Sequence, residues 1–196
     1  MKFSAETLLD HSTNALSINL AALIASCAIF VHPDVVTALA LHHPGAVWFP
    51  GYRRSRPTKA EPRRGAFGGD LLDDNTKANI AIKEAIFALG HQGCSGFATC
   101  HIWPGSCYST ACHTALANLV LLPAPLASLT DHNLSIAVLL QSRSYALYGW
   151  LPPNTVAPPA PPDMPWHPFI PPSAQVMRRV ARRAGLTSPS LTSNIT

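Results

Sequence analysis

The chain is short of charge. Asp, Glu, Lys and Arg make up 12% of its 196 residues, against about 25% in an average soluble protein. Hydrophobic residues make up 47%, so the chain can build a sizeable core but has few charges for its surface. No internal repeat is present, which excludes a solenoid or a repeat array. The length therefore fits one ordinary domain, or one domain with extensions.

A long uninterrupted hydrophobic run is also missing. The most apolar stretch covers residues 15–31, and it is interrupted by Ser17, Asn19 and Ser26. It falls short of the about 20 apolar residues that a membrane span needs, and no basic segment precedes it as in a signal peptide. We therefore expect a buried helix in a cytoplasmic protein. A protein anchored in a membrane by residues 15–31 is the alternative.

The cysteines lack the pattern of a disulfide framework or a zinc knuckle. There are five, an odd number, and four of them fall between Cys94 and Cys112. Reduced thiols or a metal site in a cytosolic protein fit this pattern, and so do small apolar fillers of the core. Only Cys107 and Cys112 have a C-x₂₋₄-C spacing, so the two paired knuckles that are typical of structural zinc sites are absent.

Positive charge is scarce but concentrated. The net charge is +4, and a Pro- and Gly-rich loop and a predicted amphipathic helix at residues 173–185 hold most of the cations. Each segment is either solvated surface or a phosphate contact, for which arginine is well suited; the helix could also touch an acidic membrane surface. The lone Arg143 of another predicted helix either reaches solvent or points at a site. The candidate nucleic-acid contacts are Arg53, Arg54, Arg56, Lys59, Arg63, Arg64, Arg143, Arg178, Arg179, Arg182 and Arg183.

Apolar residues at helical spacing predict helices from Lys77 to Gly90 and from about Asn133 to Tyr148. Asp74 or Asn75 can cap the first helix, which explains the paired aspartates more simply than metal binding does. Thr130 or Asp131 can cap the second, and Gly149 ends it.

Proline divides the chain. Ten of the residues from Leu151 to Pro172 are proline, which favours an extended linker over helix or central strand. We expect one globular domain at residues 1–150 with its functional centre at 96–148. A linker at 151–172, the basic helix at 173–185 and a disordered tail at 186–196 follow it.

Two strand-like runs lie within residues 96–133. Residues 96–103 alternate, so that Phe97, Thr99, His101 and Trp103 share one face. A loop follows, then a second strand over 118–122 and a helical turn between 124 and 130. The predicted order is strand, loop, strand, helix, in an α+β protein that is otherwise mainly helical.

Two short motifs in these strands, Cys100-His101-Ile102 and Asn118-Leu119-Val120-Leu121-Leu122, resemble those of the HNH endonucleases, whose central element is a ββα-metal hairpin and helix. The resemblance covers residues 96–133. It implies a nuclease that hydrolyses phosphodiester bonds of nucleic acid, with DNA the expected form, and that uses one divalent ion (Mg²⁺, Mn²⁺, Ni²⁺ or Zn²⁺). Carried over, His101 would be the general base, and Asn118 would fix its geometry. A neutral imidazole suits the base role, and a divalent cation suits stabilisation of the leaving oxygen.

Two positions depart from the family pattern. The residue before the histidine is Cys100 instead of a metal-binding Asp or His, and a thiolate suits Zn²⁺ better than Mg²⁺. The family's last ligand would fall on Leu126 or Ala127, so it is expected to come from nearby residues or from the loop, unless the metal centre is degenerate. The candidate metal ligands are Asp131, His132, Cys100 and His113.

Other interpretations of the central stretch stay open. Its cysteines and His113 could hold a structural zinc ion, or His101 could be an ordinary core histidine with Asn118 as a loop cap. A nucleophilic pair of Cys100 and His101 is disfavoured, because adjacent strand residues face opposite sides. A non-catalytic nucleic-acid-binding module with a degenerate HNH-like fold is the alternative function.

Overall fold

The computed structural model describes residues 19–89 and 95–186. Within them the chain forms six α-helices and two small sheets, which confirms the α+β class. The helices are α1 (residues 19–27), α2 (Pro33–Ala40), α3 (Thr76–Phe87), α4 (Leu129–His132), α5 (Leu134–Tyr148) and α6 (Ala174–Arg183). The strands are β1 (Tyr52–Arg54), β2 (Gly65–Phe67), β3 (Asp70–Asp73), β4 (Phe97–His101) and β5 (Leu119–Pro123). The predicted helix stop at Gly90 and residues 187–196 of the predicted tail lie outside the described residues.

Strand β5 is the centre of the fold. It pairs antiparallel with β4, as predicted, with His101 opposite Leu119. Successive strand residues face opposite sides, and here both sides are buried: Leu119 and Leu121 pack into a first core, Val120 and Leu122 into a second. Burial on both faces explains why this strand is continuously apolar and does not alternate with polar residues.

The helix predicted for the apolar stretch at residues 15–31 ends earlier than predicted. Helix α1 ends at residue 27, and Ile29 exchanges two backbone hydrogen bonds with Leu121, of 3.0 and 3.1 Å. This bridge satisfies backbone groups that β5 would otherwise leave unpaired in the core. Among the helices of residues 19–89 and 95–186, none has both the length and the apolar character needed to cross a membrane.

The second sheet carries the basic loop. Strand β1 pairs parallel with β3, and β2 pairs antiparallel with β3. Arg53 of β1 is buried, and its guanidinium bonds both carboxylate oxygens of Glu61 (2.8 and 3.0 Å) and one oxygen of Asp70 (2.5 Å). A buried charge is tolerated only when it is paired, so Arg53 fastens the loop to the sheet.

Helix α5 begins and ends at local signals. Its N-cap is Asn133, whose side chain accepts a hydrogen bond of 3.1 Å from the Ile136 amide. Thr130 and Asp131, the predicted caps, belong instead to the separate short helix α4. Gly149 ends α5 with a left-handed φ of 61°, as predicted, because glycine adopts this conformation without steric cost.

The Pro-rich segment contains no helix or strand over residues 150–173, as predicted, and it packs against the domain. Trp166 meets Phe30 edge-on, with ring centroids 5.9 Å apart. Helix α6 follows, capped by Ser173, and buries Val176 and Val180 in the first core. The Pro-rich segment at residues 150–173, called the Pro-rich strap below, and α6 therefore contribute to the same cores as the rest of the domain.

One buried carboxylate fixes α6 in place. Glu84 of α3 accepts hydrogen bonds from Arg179 (2.5 Å), Arg183 (3.1 Å) and the indole N–H of Trp48 (2.9 Å). Arg178, on the same helix, is exposed. The cationic face of α6 is thus divided between an internal ion pair and solvent.

We expect Glu84→Gln to lower the free energy of unfolding by about 3 kcal/mol, because it leaves two partly buried guanidinium groups without a counter-charge. Urea denaturation followed by circular dichroism measures the change. Arg178→Gln is the matched control, and as a surface change it should stay within about 0.5 kcal/mol of wild type. Equal effects of the two substitutions would contradict this account of α6.

Candidate functional site

A cavity of about 220 Å³ lies between β4, the loop after it and the segment that enters α4. Thr99 and His101 line it from β4, on the face that the alternation predicted. Arg54 from the end of β1 and Asp131 from α4 add charges of opposite sign. The cavity therefore combines a titratable ring, a cation and a carboxylate.

His101 is held in one tautomer. Its Nε2 lies 3.0 Å from the main-chain carbonyl oxygen of His113, and the two imidazole rings stack with centroids 5.3 Å apart. Because a carbonyl only accepts, the proton resides on Nε2 and Nδ1 carries a lone pair. Burial, and then the electrostatic effect of His113, lowers the pKa of His101 to about 3. The ring is neutral at physiological pH, and none of the described residues bonds Nδ1.

A buried carboxylate positions the residue that holds His101. The Nε2 of His113, a fully buried residue, lies 3.0 Å from a carboxylate oxygen of Asp73. The same oxygen accepts the Lys77 amide at 2.7 Å and so caps α3. Although burial acts to raise it, the bonds from His113 and Lys77 lower the pKa of Asp73 below its ordinary value. Asp73 thus fixes the His113 ring, and with it the main-chain carbonyl of His113 that is hydrogen-bonded to His101.

Asn118 braces the loop from inside the protein and does not line the cavity. It is fully buried, and its amide donates to the Ser106 hydroxyl and the Cys112 carbonyl, both at 2.8 Å. Its side-chain oxygen accepts the Trp103 amide at 3.2 Å. These three bonds span the loop between β4 and β5. Asn118 therefore supports the loop that carries His113.

Two of the four candidate metal ligands, Cys100 and Asp131, line the cavity, and the other two do not. Cys100 also packs in the second core, where burial raises the pKa of its thiol to about 11 and favours the protonated form at neutral pH. His113 is bound to Asp73, and His132 is exposed outside the cavity lining. Over residues 19–89 and 95–186, no three His, Cys, Asp or Glu side chains form a metal-binding group. Asp131 is the candidate that brings a carboxylate to the cavity.

Three polar side-chain atoms in the cavity wall have no hydrogen-bond partner in the described part of the chain. They are the Asn75 Oδ1, the Thr99 Oγ1 and the Trp103 Nε1, all buried. Leaving a buried polar atom unsatisfied costs about 1–3 kcal/mol. Native proteins contain few such atoms, so three in neighbouring residues make this part of the fold locally costly.

The geometry at the start of α3 explains why the Asn75 side-chain oxygen has no partner. It occupies the N-cap position of α3, as predicted, with a left-handed φ of 86°, but its side chain makes no capping bond. Asp73 supplies the capping carboxylate instead. Asn75 and Asp131 carry oxygen atoms, the ligand type that Mg²⁺ and Mn²⁺ prefer, and both residues line the cavity together with Cys100 and Cys107.

The basic residues of the loop fall into two groups. Arg54 lines the cavity, whereas Arg53 is buried in its ion pair with Glu61 and Asp70. Arg63 and Arg64 are exposed and share one carboxylate, Asp74, at 3.0 and 2.8 Å. Two cations on one anion leave a net positive surface beside the cavity. Arg56, over the Tyr108 ring, and Lys59 are exposed as well.

The remaining cations lie elsewhere. Arg143 stacks over Trp166 at 5.0 Å and over Phe169 at 5.9 Å, which fastens the Pro-rich strap to α5. Burial lowers the pKa of Arg143. Arg179 and Arg183 are paired with Glu84, and only Arg178 and Arg182 of α6 are exposed.

Sequence analysis did not identify Asp73, Asn75, Thr99 or Trp103 as site residues. A signal existed for two of them, because the strand alternation placed Thr99 and Trp103 on the same face as His101. Comparison with family models, with curated proteins and with solved structures finds no match to this chain.

We expect Asn118→Ala to destabilise the protein by about 3 kcal/mol, because it leaves the Trp103 amide buried without a partner and removes the bonds to Ser106 and to the Cys112 carbonyl, which keeps only the bond from the Ala115 amide. Thermal and urea denaturation measure the loss. His132→Ala, at an exposed position, is the control and should change the free energy of unfolding by less than about 0.5 kcal/mol. Unchanged stability of Asn118→Ala would refute the bracing role.

His101 makes stability depend on pH. Its pKa is about 3 in the fold and about 6.5 in the unfolded chain, so the unfolded chain takes up the proton first as pH falls. The contribution of the neutral, buried His101 to the free energy of unfolding is complete above pH 6.5. It is lost as the pH falls toward 3, by up to about 1.4 kcal/mol per pH unit. His101→Gln lacks this component, so it should gain stability relative to wild type as pH falls from 6.5 to 5. Urea denaturation across this range checks it, and parallel curves would contradict it.

Proposed function

We propose that the protein hydrolyses phosphodiester bonds of nucleic acid, with His101 as the general base. The observation that carries this proposal is the hydrogen bond from His101 Nε2 to the His113 carbonyl. It leaves the Nδ1 lone pair as the proton acceptor of a ring that lines a charged cavity. A base held in one tautomer by a second residue is the arrangement that water activation requires.

The proposed reaction is an in-line attack of water on phosphorus. Nδ1 of His101 removes a proton from the water while its oxygen bonds to phosphorus. The bond from phosphorus to the leaving oxygen breaks, and that oxygen takes the electron pair and a proton from solvent. Arg54 offsets the negative charge that develops on the phosphate oxygens. The imidazolium then returns its proton to solvent.

The low pKa of His101 belongs to the cavity without substrate. A phosphodiester brings a negative charge next to the ring, which favours the imidazolium and raises the pKa of His101 toward neutrality. The resident charge of Asp73 already acts in the same direction on the pKa of His101, and that of Arg54 acts against it. Substrate binding is therefore what makes His101 an effective base in this proposal.

Asp131, whose residue lines the cavity, would hold a Mg²⁺ or Mn²⁺ ion. Such an ion stabilises negative charge on the leaving oxygen when it is bound. Hard cations in phosphate sites need few protein ligands, because water and phosphate oxygens complete the shell. The scarcity of ligating side chains is compatible with this kind of site.

The chain order supports an HNH-like centre. His101 ends the first strand of the hairpin, Asn118 immediately precedes the second, and α4 follows. DNA is the proposed substrate, and the exposed Arg63, Arg64, Arg56 and Lys59 would contact its backbone.

A non-catalytic nucleic-acid-binding module is the second candidate. The absence of a three-residue metal group among the described residues favours this candidate. In such a module the basic surface beside the cavity would bind nucleic acid, and no metal-dependent cleavage would follow.

We expect the protein to nick supercoiled plasmid with Mg²⁺ or Mn²⁺, and His101→Ala to lower the rate by about 10²- to 10⁴-fold, the usual contribution of a general base. Gel electrophoresis over time measures the rate. His42→Ala is the matched control, because His42 is exposed and does not line the cavity.

Two results would contradict the proposal in different ways. Cleavage by His101→Ala at the wild-type rate would remove His101 from the mechanism. Salt-dependent DNA binding without cleavage under Mg²⁺, Mn²⁺, Ni²⁺ or Zn²⁺ would favour the binding module instead.

A further inference from the structure

The conformation of the Pro-rich strap is restricted by its covalent structure. Proline fixes its own φ at about −65° and pushes the residue before it toward an extended conformation. From residue 156 to residue 165, every residue except Val156 and Asp163 is a proline or directly precedes one. These restrictions favour a polyproline II helix, which has three residues per turn and no internal hydrogen bonds.

Exposure along residues 156–165 repeats with the same period of three. Pro158, Pro161 and Met164 are half-buried, and the residues between them are exposed. Because residues three apart lie on the same edge of a polyproline II helix, one of its three edges lies on the domain. The other two edges face solvent. Their members are Val156, Pro159 and Pro162 on one edge and Ala157, Ala160 and Asp163 on the other.

The main chain of this segment is free as well. Among the described residues, no backbone amide donates a hydrogen bond to a carbonyl between Val156 and Asp163. The Met164 carbonyl accepts the Trp166 amide at 2.8 Å, and this tight turn ends the regular segment. A partner can therefore use both the proline rings of a free edge and the carbonyl oxygens beside them.

The segment is held at both ends. Leu151 before it and Met164 and Trp166 after it pack against the second core. The ring of Trp166 also lies against the Arg143 guanidinium, 5.0 Å away. A segment that folding has already ordered loses little conformational entropy when a partner binds, and this raises its affinity.

The charge of the strap narrows the kind of partner that fits. Among Asp, Glu, Lys and Arg, the stretch from Leu151 to Pro172 contains Asp163 alone, and Asp163 lies on a free edge. A groove with an acidic rim would repel this carboxylate and find no cation in the stretch to bind. A groove with a neutral or basic rim has complementary charge.

We infer that the two free edges of residues 156–163 dock into the aromatic-lined groove of a polyproline-binding domain whose rim is neutral or basic. Grooves of this kind recognise a preformed polyproline II helix with prolines three residues apart, and Pro159 and Pro162 have that spacing. The docking surface lies outside the cavity lining, so it adds a protein partner that the proposed function does not require.

Isolated polyproline-binding domains test this surface on the full chain. WW and EVH1 domains with neutral or basic rims form one group, and SH3 domains with acidic rims form the other. Each domain, labelled with ¹⁵N, is titrated with the unlabelled protein. A member of the first group should bind saturably, with signal shifts confined to its groove, and about tenfold more tightly than the acidic-rim domains.

Substitutions on the strap locate the contact. The double variant Pro159→Ala, Pro162→Ala should weaken binding by about tenfold or more, because it removes both rings from one free edge. Pro171→Ala is the matched control: Pro171 is equally exposed but lies beyond the turn at Pro165, and the change should alter affinity by less than about twofold. Circular dichroism and urea denaturation check that each variant is folded.

Three outcomes would overturn the docking surface. The first is the absence of binding to every domain tested, and the second is equal weakening by the double variant and by Pro171→Ala. The third is self-association of the protein, measured by sedimentation, that the double variant abolishes, because it would assign the surface to a second copy of the chain.

Discussion

The burial of β5 on both faces is the constraint on which the rest of the structure depends. A strand with apolar residues on each side needs two cores, and each core needs its own helices. The first receives α2, α3 and α6, and the second receives α5 and the Pro-rich strap. Strand β4 can pair only at the edge that Ile29 leaves open. The cavity then forms where β4, at the rim of this layered centre, meets the second sheet and α4.

The candidate site is positioned by groups that never reach it. Asp73 ends β3 and caps α3, and through His113 it connects both elements to the ring of His101. Asn118 ties together the loop between the two hairpin strands. These bonds are buried, so they are strong and water does not compete for them. A side chain that must accept a proton in a defined direction benefits from such rigid support.

Local signals made part of the molecule predictable. The hairpin, the end of α5 at Gly149 and the amphipathic α6 follow from alternation, a glycine and helical spacing, each readable within a few neighbouring residues. The bond between Asp73 and His113 joins residues forty positions apart, and nothing near either residue indicates it. The same holds for Glu84, which recruits Arg179 and Arg183 from the far end of the chain. Charge density alone could not separate these arginines from the exposed ones.

The unsatisfied buried atoms beside the cavity keep the fold below the stability it could attain. Replacing a buried, unpaired hydroxyl with a methyl group removes a desolvation penalty, so a valine at Thr99 would make the folded state more favourable. A screen for thermostable variants would therefore select changes at these positions early.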